Sequence, residues 1–148
     1  MNTLHRYLIA MGLCANSMSM AWAQNDFAQM AAQEPGAKVT ASGLVYRSLQ
    51  DGQGVSPVAT DKVKVHYRGT FPNGKEFDSS YKRNQAIDFP LNAVIPCWTE
   101  GVQLMKVGGK AKLTCPPAIA YGARGAGGVI PPNATLQFEV ELIAVAGK

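Results

Sequence analysis

In KVKVHYR (62–68) apolar and polar residues alternate. Val63, Val65 and Tyr67 fall on one face of an extended chain, and Lys64, His66 and Arg68 on the other. The same period of two recurs in GKAKLTC, where Ala111, Leu113 and Cys115 alternate with Lys110, Lys112 and Thr114. It recurs again in TLQFEVELI, with Leu136, Phe138, Val140 and Leu142 set against Gln137, Glu139 and Glu141. LVYRSLQ (44–50) ends at the turn DGQG (51–54), and FPNGKEF places Asn73-Gly74, a strong hairpin-turn pair, between two extended runs. Strands with one oily and one wet face predict an antiparallel sheet covered on one side.

One segment departs from this period. IPCWTEGVQLMKVGG (95–109) puts Trp98, Val102 and Met105 on one helical stripe, with Pro96 suited to the helix start and Gly108-Gly109 to its end. That stripe has only the sheet to cover. The pattern therefore predicts an α+β fold, a curved antiparallel sheet wrapped around one short α-helix.

The first residues follow another plan. MNTLHR carries Arg6 and no acid, Tyr7–Ala15 is apolar, and Ala21-Trp22-Ala23 has the small-x-small form of a cleavage site. This is the three-part pattern of a secretory signal peptide. The apolar run stops at Asn16, short of the roughly 20 residues of a membrane span. Three parts are expected: a signal peptide (1–23), a flexible arm with about one helical turn (24–38), and one folded domain (39–148). Export to the periplasm is implied, with secretion beyond it left open, and places Cys97 and Cys115 where disulfides persist. The net charge of +4 falls to +3 without Arg6, and no basic run is present, so no nucleic-acid partner is expected.

His66, Asp78, Ser79 and Ser80 lie close in sequence and raise the question of a hydrolase. His66 is on the wet face, however, and Ser79-Ser80 run into a loop without a nucleophile-elbow pattern. A surface histidine and loop serines are expected. With one histidine beyond the signal peptide and no acidic cluster, no metal site is expected. Cys97 and Cys115 are not spaced as a redox pair. What remains is aromatic and apolar: Tyr67, Phe77, Trp98, Tyr121, Ile130 and Phe138, with Asp78 beside them. These residues read either as core or as the lining of an apolar ligand site.

Three long segments carry a resemblance: VHYRGTFPNGKEFDSS, FPLNAVIPCWTEGVQLMKVGGKAKLTCPP and AYGARGAGGVIPPNATLQFEVELI. In order, from about residue 39 to 145, they resemble the FKBP family of macrolide-binding peptidyl-prolyl cis-trans isomerases. With the signal peptide, the chain is similar to exported bacterial members of the macrophage infectivity potentiator group, without their long helical dimerisation region. The resemblance implies a half-barrel sheet around a short helix with a pocket between them. It implies aromatic walls from Tyr67, Phe77 and Phe138, a Trp98 floor, and a rim at Val94 and Ile95 offering backbone contacts. Tyr121 would donate its hydroxyl to a substrate carbonyl, Asp78 would be a polar contact held by Arg83, and Ile130 would close the loop side. Ile87 stands where many relatives carry Phe, and Cys97 where many carry Gly.

The implied activity is isomerisation of X-Pro bonds in exported proteins, without a cofactor. The implied partners are proline-containing unfolded or peptide segments and macrolide inhibitors. A folding chaperone or a secreted host-directed binding protein using the same cleft is the alternative. A monomer is expected, because only 24–38 precede the domain and Pro35-Gly36 interrupt them. Cys97 opens the helix beside Trp98, and Cys115 ends a strand on its oily face. A disulfide between them is expected, with two buried free thiols as the alternative.

Overall fold

The computed structural model describes residues 27–148, so the signal-peptide expectation for 1–23 lies outside the described residues. Seven strands form one antiparallel sheet: β1 (Ala37–Val39), β2 (Val45–Gln50), β3 (Lys62–Thr70), β4 (Glu76–Ser79), β5 (Ile87–Pro90), β6 (Lys110–Cys115) and β7 (Leu136–Val145). The order across it is β1-β2-β6-β7-β3-β4, with β5 also paired to β3. Helix α1 (Pro96–Gln103) lies against the covered face. This is the α+β fold that the alternation predicts, in the half-barrel form that the resemblance implies.

The alternating pattern sets the register. On β3, Val63, Val65 and Tyr67 are buried while Lys64 and Arg68 are exposed. On β7, Leu136, Phe138, Val140 and Leu142 point inward. A bulge then shifts the register: Leu142 opposes Val65, but Ala144 opposes Lys64. The inward phase moves to Val145, and the strand runs two residues past the alternating stretch. Strand β5 was not legible as one, and its Pro90 is tolerated because β5 is an edge strand paired on one side.

Helix α1 is shorter than its apolar stripe. Beyond Gln103 the chain tightens, with Leu104 and Met105 N–H groups donating to the carbonyls of Gly101 and Val102, and this turn still buries Met105. A Cβ on Gly101 would stand 2.8 Å from Leu113 Cδ1, so glycine lets the helix approach β6 closely. The disulfide Cys97–Cys115 joins the same two elements, with Cα atoms 5.8 Å apart, and both cysteines are fully buried.

The described part of the segment expected as a flexible arm, residues 27–38, is docked instead. Residues 27–32 are helical, Ala31 is buried, and β1 pairs with β2. Glu34 bridges Arg47 at 3.2 Å and Lys112 at 2.7 Å, and Arg47 Nε donates to Pro35 O. Arg47 and Lys112 are paired neighbours on β2 and β6. Their two positive charges on one patch give Glu34 a site that no local pattern in 24–38 reveals.

Candidate active site

Between α1 and the covered face of the sheet lies a concavity of about 510 Å³, within the usual range of ligand sites. Its floor is Trp98, with the rings of Tyr67 and Phe138 edge-on to it at 5.1 and 5.2 Å. Phe77 from β4 stands edge-on to Phe138 at 5.6 Å and extends the wall. Ile87, Val94, Ile95 and Tyr121 complete the lining expected from the sequence, and Ala93 is an addition to it. Gly69 makes the wall possible, because a Cβ there would meet Phe77 Cζ at 2.5 Å and Phe138 Cε1 at 3.0 Å. A glycine inside a strand pattern, as in HYRGT, signals such a close approach. Trp98 Nε1 is the one buried side-chain polar atom among the described residues without a hydrogen-bond partner.

Polar groups gather at one wall. Asp78 accepts hydrogen bonds from the Tyr67 hydroxyl, from Arg83 Nη1 at 2.5 Å and from its neighbour's N–H at Ser79. Arg83 Nη2 also donates to the Tyr67 hydroxyl at 3.0 Å. Burial alone would raise the Asp78 pKa, but the hydrogen bonds from Tyr67 and Arg83 outweigh it and hold the carboxyl below its ordinary value. The Tyr67 phenol is pushed up, first by burial and then by donating to Asp78. The triad thus keeps a carboxylate, a neutral phenol and a guanidinium. Across the pocket, Tyr121 is 40% exposed and its hydroxyl has no hydrogen-bond partner among the described residues. The Ile95 N–H is likewise unpaired, whereas the Ile95 carbonyl caps α1.

The structure places Ile130 in the buried core, bridged to Ala126, rather than in the pocket lining. Arg83 reaches the site only through Asp78 and Tyr67, and its side chain stays about half exposed.

The surface reading of the serines is corrected. Ser80 is fully buried and Ser79 nearly so. Ser80 Oγ accepts the Tyr67 N–H at 2.7 Å, its N–H donates to Tyr67 O at 2.9 Å, and His66 Nδ1 lies 2.7 Å from the same hydroxyl. The side chain satisfies β3 backbone in the gap between β4 and β5, which pair with opposite halves of that strand. His66 stacks on Tyr81 at 4.6 Å on the outer face. Asp78 meets Tyr67 and Arg83, so histidine, aspartate and serine do not form a relay. Among the described residues no group of three or more His, Cys, Asp or Glu could hold a metal ion.

A curled antiparallel sheet closes an aromatic pocket over one helix, and the pocket lining holds no serine, threonine, cysteine, histidine or lysine. Residues 54–143 match the model of the FKBP-type peptidyl-prolyl cis-trans isomerase family, and the chain belongs to that family. It is 48% identical over 120 residues to the isomerase FkpA of Escherichia coli, covering 81% of this chain and 44% of that protein. The crystal structure of that FkpA superposes with a TM-score of 0.78 at 41% identity, over 96% of this chain and 71% of the other. The isomerase Mip of Coxiella burnetii is 50% identical over 78% of this chain and 50% of its own length. FK506-binding protein 1 of Dictyostelium discoideum is 55% identical over 68% of this chain and 96% of its own. The chain thus spans about half the length of the bacterial relatives, and nearly all of the Dictyostelium protein lies within the match.

Proposed function

We propose that this protein is a peptidyl-prolyl cis-trans isomerase acting on X-Pro bonds in exported, unfolded or peptide segments. The observation that carries the reading is the apolar pocket floored by Trp98, with a free Tyr121 hydroxyl and a free Ile95 N–H at its rim. Isomerisation breaks no bond, so a lining without serine, cysteine, histidine or lysine, whose one carboxylate is tied to Tyr67 and Arg83, fits it.

The barrier is roughly 18–20 kcal/mol and comes from amide resonance. In the planar amide the carbonyl oxygen carries partial negative charge that water stabilises. In the twisted amide this charge is reduced and the proline nitrogen becomes a better hydrogen-bond acceptor. An aromatic cavity solvates the planar form poorly and the twisted form comparatively well, and this difference lowers the barrier. Each 1.36 kcal/mol of it is a factor of about ten in rate. In this reading Tyr67, Phe77 and Phe138 enclose the proline ring above Trp98. Tyr121 and the Ile95 N–H orient carbonyls on either side. Asp78, positioned by Arg83, is the polar contact, Val94 and Ile87 border the residue before proline, and Ile130 supports the loop that carries Tyr121.

The reading extends to macrolide inhibitors as ligands of this pocket, consistent with the name of the Dictyostelium relative. It also extends to an exported, monomeric protein. In support of a monomer, the described residues before β2 dock on their own sheet. Among the described residues no helix is long and apolar enough to cross a membrane.

A protease-coupled assay on an X-Pro tetrapeptide tests the activity. Turnover that a macrolide suppresses stoichiometrically is expected, and a rate equal to the uncatalysed one would refute the reading.

A further inference from the structure

Between the 3-10 turn Leu91–Ala93 and α1 the chain forms a ridge, extended at Val94 (φ −121°, ψ 179°) and Ile95 (φ −58°, ψ 147°). Ala93 and Ile95 line the aromatic pocket, whereas Asn92 and Pro96 line a second, more open groove of about 600 Å³ on the other side of the ridge. Val94 borders both, so the two concavities adjoin across this ridge. The far side of the groove is made by α1 and the turn after it, where Leu104 is half exposed.

Glu100 is the one ionisable residue lining this groove. Its carboxylate accepts a hydrogen bond from the Ser42 hydroxyl at 2.5 Å and has no cationic partner among the described residues. Glu34, Glu76, Asp78 and Asp61 each meet a lysine or arginine, so Glu100 is among the carboxylates whose charge no close cation offsets. An apolar trough with one unneutralised carboxylate, opening over the rim of the pocket, complements an extended polypeptide that carries a basic side chain.

We propose that this groove receives client residues flanking the X-Pro bond, with a Lys or Arg of the client paired to Glu100. The site would thus prefer basic flanks over acidic ones at one distance from the proline. This rests on the isomerase reading for its catalytic consequence, but the groove can also be tested by binding alone.

The test uses fluorescently labelled twelve-residue peptides with one central X-Pro bond and a single Lys moved through each flank, each compared with its Glu counterpart. At one position Lys should raise kcat/KM about fivefold over Glu at low salt, the scale of one exposed ion pair, with the change in KM. Added salt should shrink the preference. Glu100→Gln should abolish it, and Glu100→Lys should reverse it, with circular dichroism confirming the fold of each variant. No preferred position in the scan, or a preference that survives both substitutions, would overturn the proposal. If the wild type does not isomerise the X-Pro tetrapeptide, the catalytic reading fails. Anisotropy titrations of the same peptides then decide the groove by the same criterion.

Discussion

Tyr67 and His66 are neighbours on one strand and end in opposite environments. Tyr67 faces inward to Trp98, Asp78 and Arg83, in a pocket lined mostly by apolar groups. His66 faces outward among Ser80, Tyr81 and, through Tyr81, Glu141. The outer cluster has the residue types of acid-base and nucleophilic chemistry, yet its hydroxyl is committed to strand backbone. The inner cluster has no histidine or serine and its one carboxylate is held by Tyr67 and Arg83, but it has an accessible apolar volume and unpaired donors at its rim. Residue identity alone therefore points to the wrong side of the strand. What separates the two is which polar atoms remain unspent once the backbone is satisfied.

Truncating the inner face should have the largest effect. Phe138→Ala removes a wall that is also core, and is expected to lower stability by about 3–5 kcal/mol and kcat/KM by at least tenfold. Chemical denaturation and the coupled assay, run well below the midpoint, measure the two separately. A folded variant with wild-type kcat/KM would dissolve the distinction between the faces.

Next is the brace behind the pocket. Reducing Cys97–Cys115 opens a loop of 18 positions and should lower stability by about 3 kcal/mol, while leaving most activity at 25 °C. Denaturation with and without reductant, on the same preparation used for kinetics, checks this. An equal proportional loss of both would mean that the bond shapes the floor directly.

On the outer face, Ser80→Ala leaves the Tyr67 N–H without its acceptor, at an expected cost of about 1–3 kcal/mol, with kcat/KM unchanged in the folded fraction. A selective loss of turnover would revive the hydrolase-like reading of this cluster. Tyr121→Phe is the converse: a fall in kcat/KM of roughly tenfold, about 1.4 kcal/mol, with unchanged stability, because that hydroxyl has no partner within the described fold.

The smallest effect is that of pH on the inner triad. The folded site holds Asp78 as a carboxylate with a lowered pKa. Its stabilisation is therefore present above the ordinary value of 3.8 and is lost as pH falls through the lower folded value. The salt bridge is a little under half exposed, and solvent screening keeps this small. The Tm gap between wild type and Asp78→Asn should be a few degrees at pH 7 and close below pH 3.8. A gap that persists at pH 2 would show that Tyr67 and Arg83 do not recognise the charge.

Alternation along β3, β6 and β7 was enough to place the sheet, its covered face and the helix upon it, because each strand has one buried side and any other register would expose Val63, Leu113 or Val140. The likeness of the three long segments to a known family was enough to single out most of the pocket lining. Neither indicated that Ser80 would turn inward to serve Tyr67, that Glu34 would seat residues 27–36 between Arg47 and Lys112, or that β7 would bulge to bury Val145. Those outcomes depend on which backbone donors and which charges the finished sheet leaves unmet. That is a property of strands brought together from distant parts of the chain, and no local window of sequence contains it.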